Sequence, residues 1–213
     1  MVPFKTLAIL VLIIFFGYGL RLYRLDVSPP SLNWDEVSHG YNAYSLLTTG
    51  RDQWGQILPV INFRAYGDYP TALNLYLTVP IVYALGPTDL AARLPQVILG
   101  GLAIAAMFLT GFYYKRNWFT GLAAAGLMAI EPWTLFPSRA VFQSNGAVLL
   151  LCLAMAAYFR SQRRGKYFVI SLFLLGLSML AYHNTRIFVP LLAMGMLVIS
   201  VKSKIKWGWL VIV

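Results

Sequence analysis

Charge is scarce in this chain: only 11% of its 213 residues are Asp, Glu, Lys or Arg, against about 25% in soluble globular domains. With 59% hydrophobic residues and a mean hydropathy of +0.68, the composition excludes a single water-soluble core and makes lipid the expected solvent. Acid is scarcer still, 7 Asp and Glu against 17 Lys and Arg, for a net charge of +10. Cysteine occurs once, as Cys152 in an apolar run, which excludes an intramolecular disulfide or thiolate metal cluster and leaves a small buried hydrophobe. Soluble catalytic signatures are missing too: there is no phosphate loop ending Lys-Ser/Thr, no His-Glu-x-x-His and no Gly-x-Ser-x-Gly. Nucleotide and zinc hydrolysis are therefore not expected. No repeat or low-complexity segment is present.

What the chain does have is apolar runs near 7–22, 94–114, 119–136, 140–159, 167–182 and 187–201, each close to the 20 or so residues a spanning helix needs. Another run begins at Trp207 and stops at Val213 without a polar flank, as in the N-terminal part of a longer protein. Lys5 precedes the first run and Arg21-Leu-Tyr-Arg24 follows it. With no small-x-small cleavage site there, this is expected to be an uncleaved anchor with an interfacial belt. The fold class expected is an all-α membrane protein, a multi-pass helix bundle occupying residues 1–213.

Most cations sit in short clusters between apolar runs, at Lys115-Arg116, 160–166 and 202–206, as cytoplasmic loops do under the positive-inside rule. No basic face interleaved with stacking aromatics is present, so no nucleic-acid partner is expected. One stretch decides the parity. Residues 69–85 are apolar but carry Pro70, Asn74, Thr78 and Pro80. If they crossed, every later basic cluster would fall opposite Lys5; if they lie along the outer interface or re-enter it, all clusters share the cytoplasm with the N-terminus. The second arrangement predicts a long extracytoplasmic segment over about 21–92, at the plasma membrane. Within it, 35–48 reads as a short helix, capped by Asn33 or Asp35 and ended by Gly50. Gly121 to Gly126 supplies small residues for close helix approach.

In that topology Asp35, Glu36, Asp68, Asp89, Arg93, Glu131, Arg139, His183 and Arg186 lie at or near the outer ends of apolar runs. Singly, each has an ordinary reading: acids complementing a helix start, arginines snorkelling at an interface, a histidine among interfacial aromatics, a glutamate where a helix stops. Together they form a polar rim able to accept a phosphate head group and a hydroxyl acceptor.

The ordered series Arg21-Leu-Tyr-Arg24, Trp34-Asp-Glu36, Tyr69-Pro70, Ala91-Ala-Arg-Leu-Pro95, Pro132-Trp133 with Ser138-Arg139, and Tyr182-His-Asn-Thr-Arg186 resembles the polyprenyl-phosphate-sugar-dependent glycosyltransferases of the GT-C fold. It is most similar to the protein O-mannosyltransferase and aminoarabinose-transferase group (glycosyltransferase family 39-like), and covers nearly the whole chain. The resemblance implies a cell-envelope enzyme that transfers a sugar from a lipid-linked donor to a protein or glycolipid acceptor. It implies that Asp35 and Glu36 are the catalytic or substrate-positioning acids, with Asp35 as base, and that Arg93 and Arg21 hold the carrier phosphate or the site. The remaining rim residues Arg139, His183 and Arg186 join the expected binding set. No cofactor is required and no metal ligand is assigned, with a divalent metal left open. The chain departs from the pattern at Asp68-Tyr-Pro70, where many aminoarabinose-type members have Lys-Pro-Pro.

The chemistry suits these residues independently. Glycosidases commonly use two carboxylates because an alkoxide leaving group must be protonated. A lipid phosphate leaves as a stable anion, so one carboxylate can deprotonate the acceptor while arginines bind the departing phosphate, with inversion at the sugar carbon. The readings from other classes are a transporter or flippase, which would put charges at the bilayer midplane, and a non-catalytic membrane subunit.

Overall fold

A computed structural model of the protein describes residues 3–202. The run beginning at Trp207 and residues 203–206, with Lys204 and Lys206 of the last basic cluster, lie outside the described residues. Among the described residues there is no strand, only two isolated bridges. The helices are α1 (Phe4–Leu22), α2 (Trp34–Thr49), α3 (Ala72–Leu85), α4 (Asp89–Lys115), α5 (Trp118–Ile130), α6 (Pro132–Leu135), α7 (Ser144–Ser161), α8 (Lys166–Ala181) and α9 (Thr185–Lys202), with a 3-10 turn at Pro137–Arg139.

Among the described residues three helices, α1, α4 and α7, are long and apolar enough to cross a membrane, and a fourth candidate arises if α5 and the bent segment after it count as one span. The expected single run over 119–136 is broken: Pro132 has no N–H to continue α5, and the chain bends by 60° there. α1 leaves Phe4, Leu12, Phe15 and Phe16 exposed along its flank, a surface that requires an apolar surround. α3 is one of the shorter apolar helices, at 14 residues. It extends roughly 21 Å at about 1.5 Å per residue, short of the roughly 30 Å of a hydrocarbon core. Asn74 and Thr78 on it are fully buried against neighbouring helices.

α4 is the central post, packing on α5 and α7, while α7 also packs on α8. One core joins α4, α5 and α7 through Ile104, Phe108, Ala125 and Cys152. Another joins α7, α8 and α9 through Tyr158, Phe168, Leu175 and Met196. Small residues allow the close approach: a Cβ on Gly121 would stand 3.0 Å from the Phe108 carbonyl oxygen, whereas Gly126 faces open space. The small-residue stripe thus works through Gly121 and Ala125, and Gly126 takes no part. Hydrogen bonds from Thr110 Oγ1 to the Cys152 carbonyl (2.7 Å) and from Ser171 Oγ to the Ala154 carbonyl (2.8 Å) cross between helices, the polar contacts that hold helices together where no hydrophobic drive operates. A third core, Ala43, Leu46, Phe63, Leu75 and Ala91, seats α2, α3 and the intervening loop on the start of α4.

Candidate functional site

α2 begins with a reciprocal cap. The Asn33 side chain accepts from the Glu36 backbone N–H (2.9 Å), and Glu36 Oε2 accepts from the Asn33 backbone N–H (2.8 Å). Asn33, not Asp35, is the cap. The other Glu36 oxygen, Oε1, accepts from Arg93 Nε at 2.8 Å, with both side chains buried. Arg93 Nη1 donates to the carbonyls of Leu25 (2.8 Å) and Pro29 (3.0 Å), and Nη2 to that of Ser31 (3.0 Å). The pair is a clamp that ties the connection between α1 and α2 to the first turns of α2 and α4. Four of the five guanidinium N–H groups are spent within the protein and Arg93 is 0% exposed, so it has no face for a carrier phosphate. Of the two roles that the resemblance implied for Arg93, holding the site or holding the carrier phosphate, its bonds are of the first kind.

Arg21 is likewise committed to the frame of the site. It is 0% exposed, lies inside α1, and donates to the carbonyls of Gly17, Ala129 and Met128 and to Thr134 Oγ1. Met128 and Ala129 are in the last turn of α5, whose carbonyls have no partner within the helix, so Arg21 fastens the end of α1 to the end of α5. Its Nε lacks a partner among the described residues.

Asp35 faces elsewhere. It lines a pocket of about 210 Å³ with Trp34, Ala65, Tyr66 and Asp68 and is half-buried. Burial, then the nearby Asp68 and Glu36 carboxylates, push its carboxyl above the usual aspartate range. Desolvation and like charge both disfavour the ionised carboxylate. The Asp35 carbonyl accepts from His39 Nδ1 at 2.7 Å, which places the proton on Nδ1 because a carbonyl only accepts. His39 is completely buried, edge-on to Phe63 with ring centroids 5.1 Å apart. Burial lowers its pKa to about 4, and the ring is neutral at ordinary pH.

A larger groove, about 740 Å³, opens beside the α2 cap, with Pro29, Asn33, Trp133, Phe136, Arg139 and Phe142 on its walls. The break after α5 builds it. Glu131 caps α6, its carboxylate accepting from the Trp133 N–H at 2.9 Å, and the bend carries Trp133 and Phe136 outward, both largely exposed. Arg139 Nη1 donates to the carbonyls of Leu20 (2.9 Å) and Arg21 (3.1 Å), and Nη2 to that of Ser28 (2.9 Å). Nε–H and one Nη2–H bear no bond to any described residue, so a guanidinium fixed in place still offers two donors. Asn33 belongs to both features: it lines the groove and caps the helix on which Asp35 stands two residues later.

No known family model matches the chain, and neither a curated protein nor a solved structure is significantly similar to it.

His183 and Arg186 are not brought to these residues by any contact. Both are exposed at the junction of α8 and α9, His183 against the Tyr182 ring (4.6 Å between centroids) and Arg186 donating to the Met179 carbonyl at 3.3 Å. Asp89 is an exposed acid in the first turn of α4. Among the described residues no three His, Cys, Asp or Glu side chains group as metal ligands. Sequence reasoning missed Asn33 as a groove residue, the aromatics Trp133, Phe136 and Phe142, and buried His39. Pro132 and Pro137 flanking exposed aromatics were the available signal for the groove; for His39 there was none, because its burial is a tertiary fact.

Proposed function

We propose that the protein is a multi-pass membrane glycosyltransferase of the GT-C type, moving a sugar from a polyprenyl-phosphate carrier to an acceptor hydroxyl at the outer face of the plasma membrane. The N-terminus and basic loops lie in the cytoplasm, and the segment around 21–92 lies outside. The observation that carries this reading is the start of α2: Asn33 lines an apolar groove that holds one donor-bearing guanidinium, and Asp35, two residues on, lines a half-buried carboxylate pocket of its own. The carrier's hydrocarbon lies against Trp133, Phe136 and Phe142, and its phosphate meets Arg139. Asp35 takes the proton of the acceptor hydroxyl, whose oxygen bonds to the sugar C1 while the C1–O bond to phosphate breaks and its electron pair leaves on the phosphate. Arg139 stabilises that leaving anion, and the attack from the opposite face inverts the sugar carbon. A carboxylate with a raised pKa is better matched to this proton transfer near neutral pH than an ordinary aspartate. Arg21 and Glu36–Arg93 hold the frame. Arg21 supports a transporter reading poorly, because its donors are committed to helix-end carbonyls.

The test separates the two roles. Asp35→Asn is expected to bind a polyprenyl-phosphate sugar normally and to turn over about a hundredfold or more slowly, while Arg139→Lys weakens donor use about tenfold by losing the fork. Normal turnover in Asp35→Asn, or donor use indifferent to Arg139, overturns these assignments.

A further inference from the structure

Where α4 and α7 end, a separate pocket of about 350 Å³ is lined by Phe112, Tyr113, Arg116, Arg160, Arg163 and Arg164. Phe112 is nineteen residues beyond Arg93 on α4, roughly 28 Å along the helix at about 1.5 Å per residue, so the pocket and the Arg93 clamp occupy opposite ends of the bundle. Arg116 caps α4 in the left-handed region (φ 58°). This turn brings its guanidinium over the Phe112 and Tyr113 rings, 5.9 and 5.7 Å from their centroids. Arg160, in the last turn of α7, lies 5.1 Å over Tyr113 and 4.1 Å over Tyr167. The backbone N–H groups of Arg163 and Arg164 both bond back to the Arg160 carbonyl (3.2 and 3.4 Å), gathering three arginines at one helix end.

No carboxylate lines this pocket, and the ion pair found among the described residues is Glu36–Arg93, at the far end. Helix C-termini attract cations, but two such ends supply only about −1 of charge between them. Four guanidiniums therefore leave a surplus of about three. Aromatic rings lie within 6 Å of the Arg116 and Arg160 guanidiniums, a cation–π setting, and the N–H groups of a guanidinium suit phosphate oxygens. α4 and α7 are both long and apolar enough to cross a membrane, so the pocket opens where their apolar flanks stop, at the level of lipid headgroups.

We infer that this pocket binds an anionic lipid through a headgroup carrying two phosphate charges, such as a phosphate monoester or a pair of phosphodiesters. Native mass spectrometry of the detergent-purified protein, titrated with phosphatidylcholine, phosphatidylserine, phosphatidate and cardiolipin, reads this directly. Retention of phosphatidate or cardiolipin is expected to exceed that of the other two about tenfold, and Arg160→Gln with Arg163→Gln to abolish the excess. The equal-charge control Arg51→Gln with Arg64→Gln retains it. Equal retention of phosphatidylserine, no loss in the Arg160/Arg163 pair, or the same loss in the control overturns the inference. Inorganic pyrophosphate bound at these arginines with no lipid retained also overturns it, by giving the site to a free phosphate. Should the Gln pair unfold, Arg160→Lys with Arg163→Lys keeps the charge and loses the fork. A drop of about threefold or more supports the site, and no drop overturns it.

Discussion

Replacing Arg93 by alanine is the most demanding perturbation of the loop architecture. The substitution leaves the buried Glu36 carboxylate with a single remaining partner, the Asn33 N–H, and strips a charged donor from the carbonyls of Leu25, Pro29 and Ser31. Removing one member of a buried, hydrogen-bonded ion pair costs about 3–5 kcal/mol, a large part of the 5–15 kcal/mol typical of whole-protein stability. Unfolding in mixed micelles, followed beside limited proteolysis between residues 24 and 32, should show that loss together with new cleavage in the α1–α2 connection. In a double-mutant cycle Glu36→Ala and Arg93→Ala should be non-additive by about 1–3 kcal/mol, since each already breaks the clamp. The reasoning is refuted if Arg93→Ala stays within about 1 kcal/mol of the unsubstituted protein, or if it keeps full stability yet loses donor binding, which would restore the phosphate role.

Three further outcomes follow from the geometry. The His39 contribution to stability is complete above about pH 6.5 and is lost as the pH falls towards about 4, because the unfolded chain takes up a proton that the buried ring refuses. That shift is worth about 3 kcal/mol, read as the difference between pH-stability curves of the unsubstituted protein and His39→Phe; identical curves would refute it, and the difference removes the opposing trend of Asp35, whose raised pKa favours the folded state at low pH. Cysteines placed at 163 and 66 in a Cys152→Ser background should react with an impermeant thiol reagent from the cytoplasmic and outer sides respectively, and outside labelling at 163 refutes the topology. Arg139→Lys should raise the donor KM more than it lowers kcat; an unchanged KM removes Arg139 from the phosphate site.

The helices were legible because apolar runs and their punctuation are local: Asn33 and Gly50 bound α2 as cap and left-handed stop, and Gly121 marks a close approach. The bend at Pro132 was half legible, since Glu131-Pro132 announces a helix end but not a 60° turn that makes a groove. Arg93 and Arg21 could not be placed from sequence, because most of their partners are backbone carbonyls, which carry no residue signature. A snorkelling arginine, a phosphate ligand and a backbone clamp look the same as letters. The Asn33-x-x-Glu36 spacing is that of a capping box, a signal left unused where either Asn33 or Asp35 is allowed as the cap; the box and Arg93 together commit both Glu36 oxygens. The two adjacent acids divide accordingly: Glu36 turns inward to the clamp and Asp35 outward to its pocket.

The central claim is tested most directly by incubating the purified protein in lipid vesicles with a labelled polyprenyl-phosphate sugar and an acceptor, and following both the label and the configuration at the sugar carbon. Transfer to a hydroxyl with inverted configuration and release of polyprenyl phosphate, lowered about a hundredfold by Asp35→Asn, is the predicted result. An intact donor across polyprenyl-phosphate sugars, or transfer that retains configuration, would contradict it.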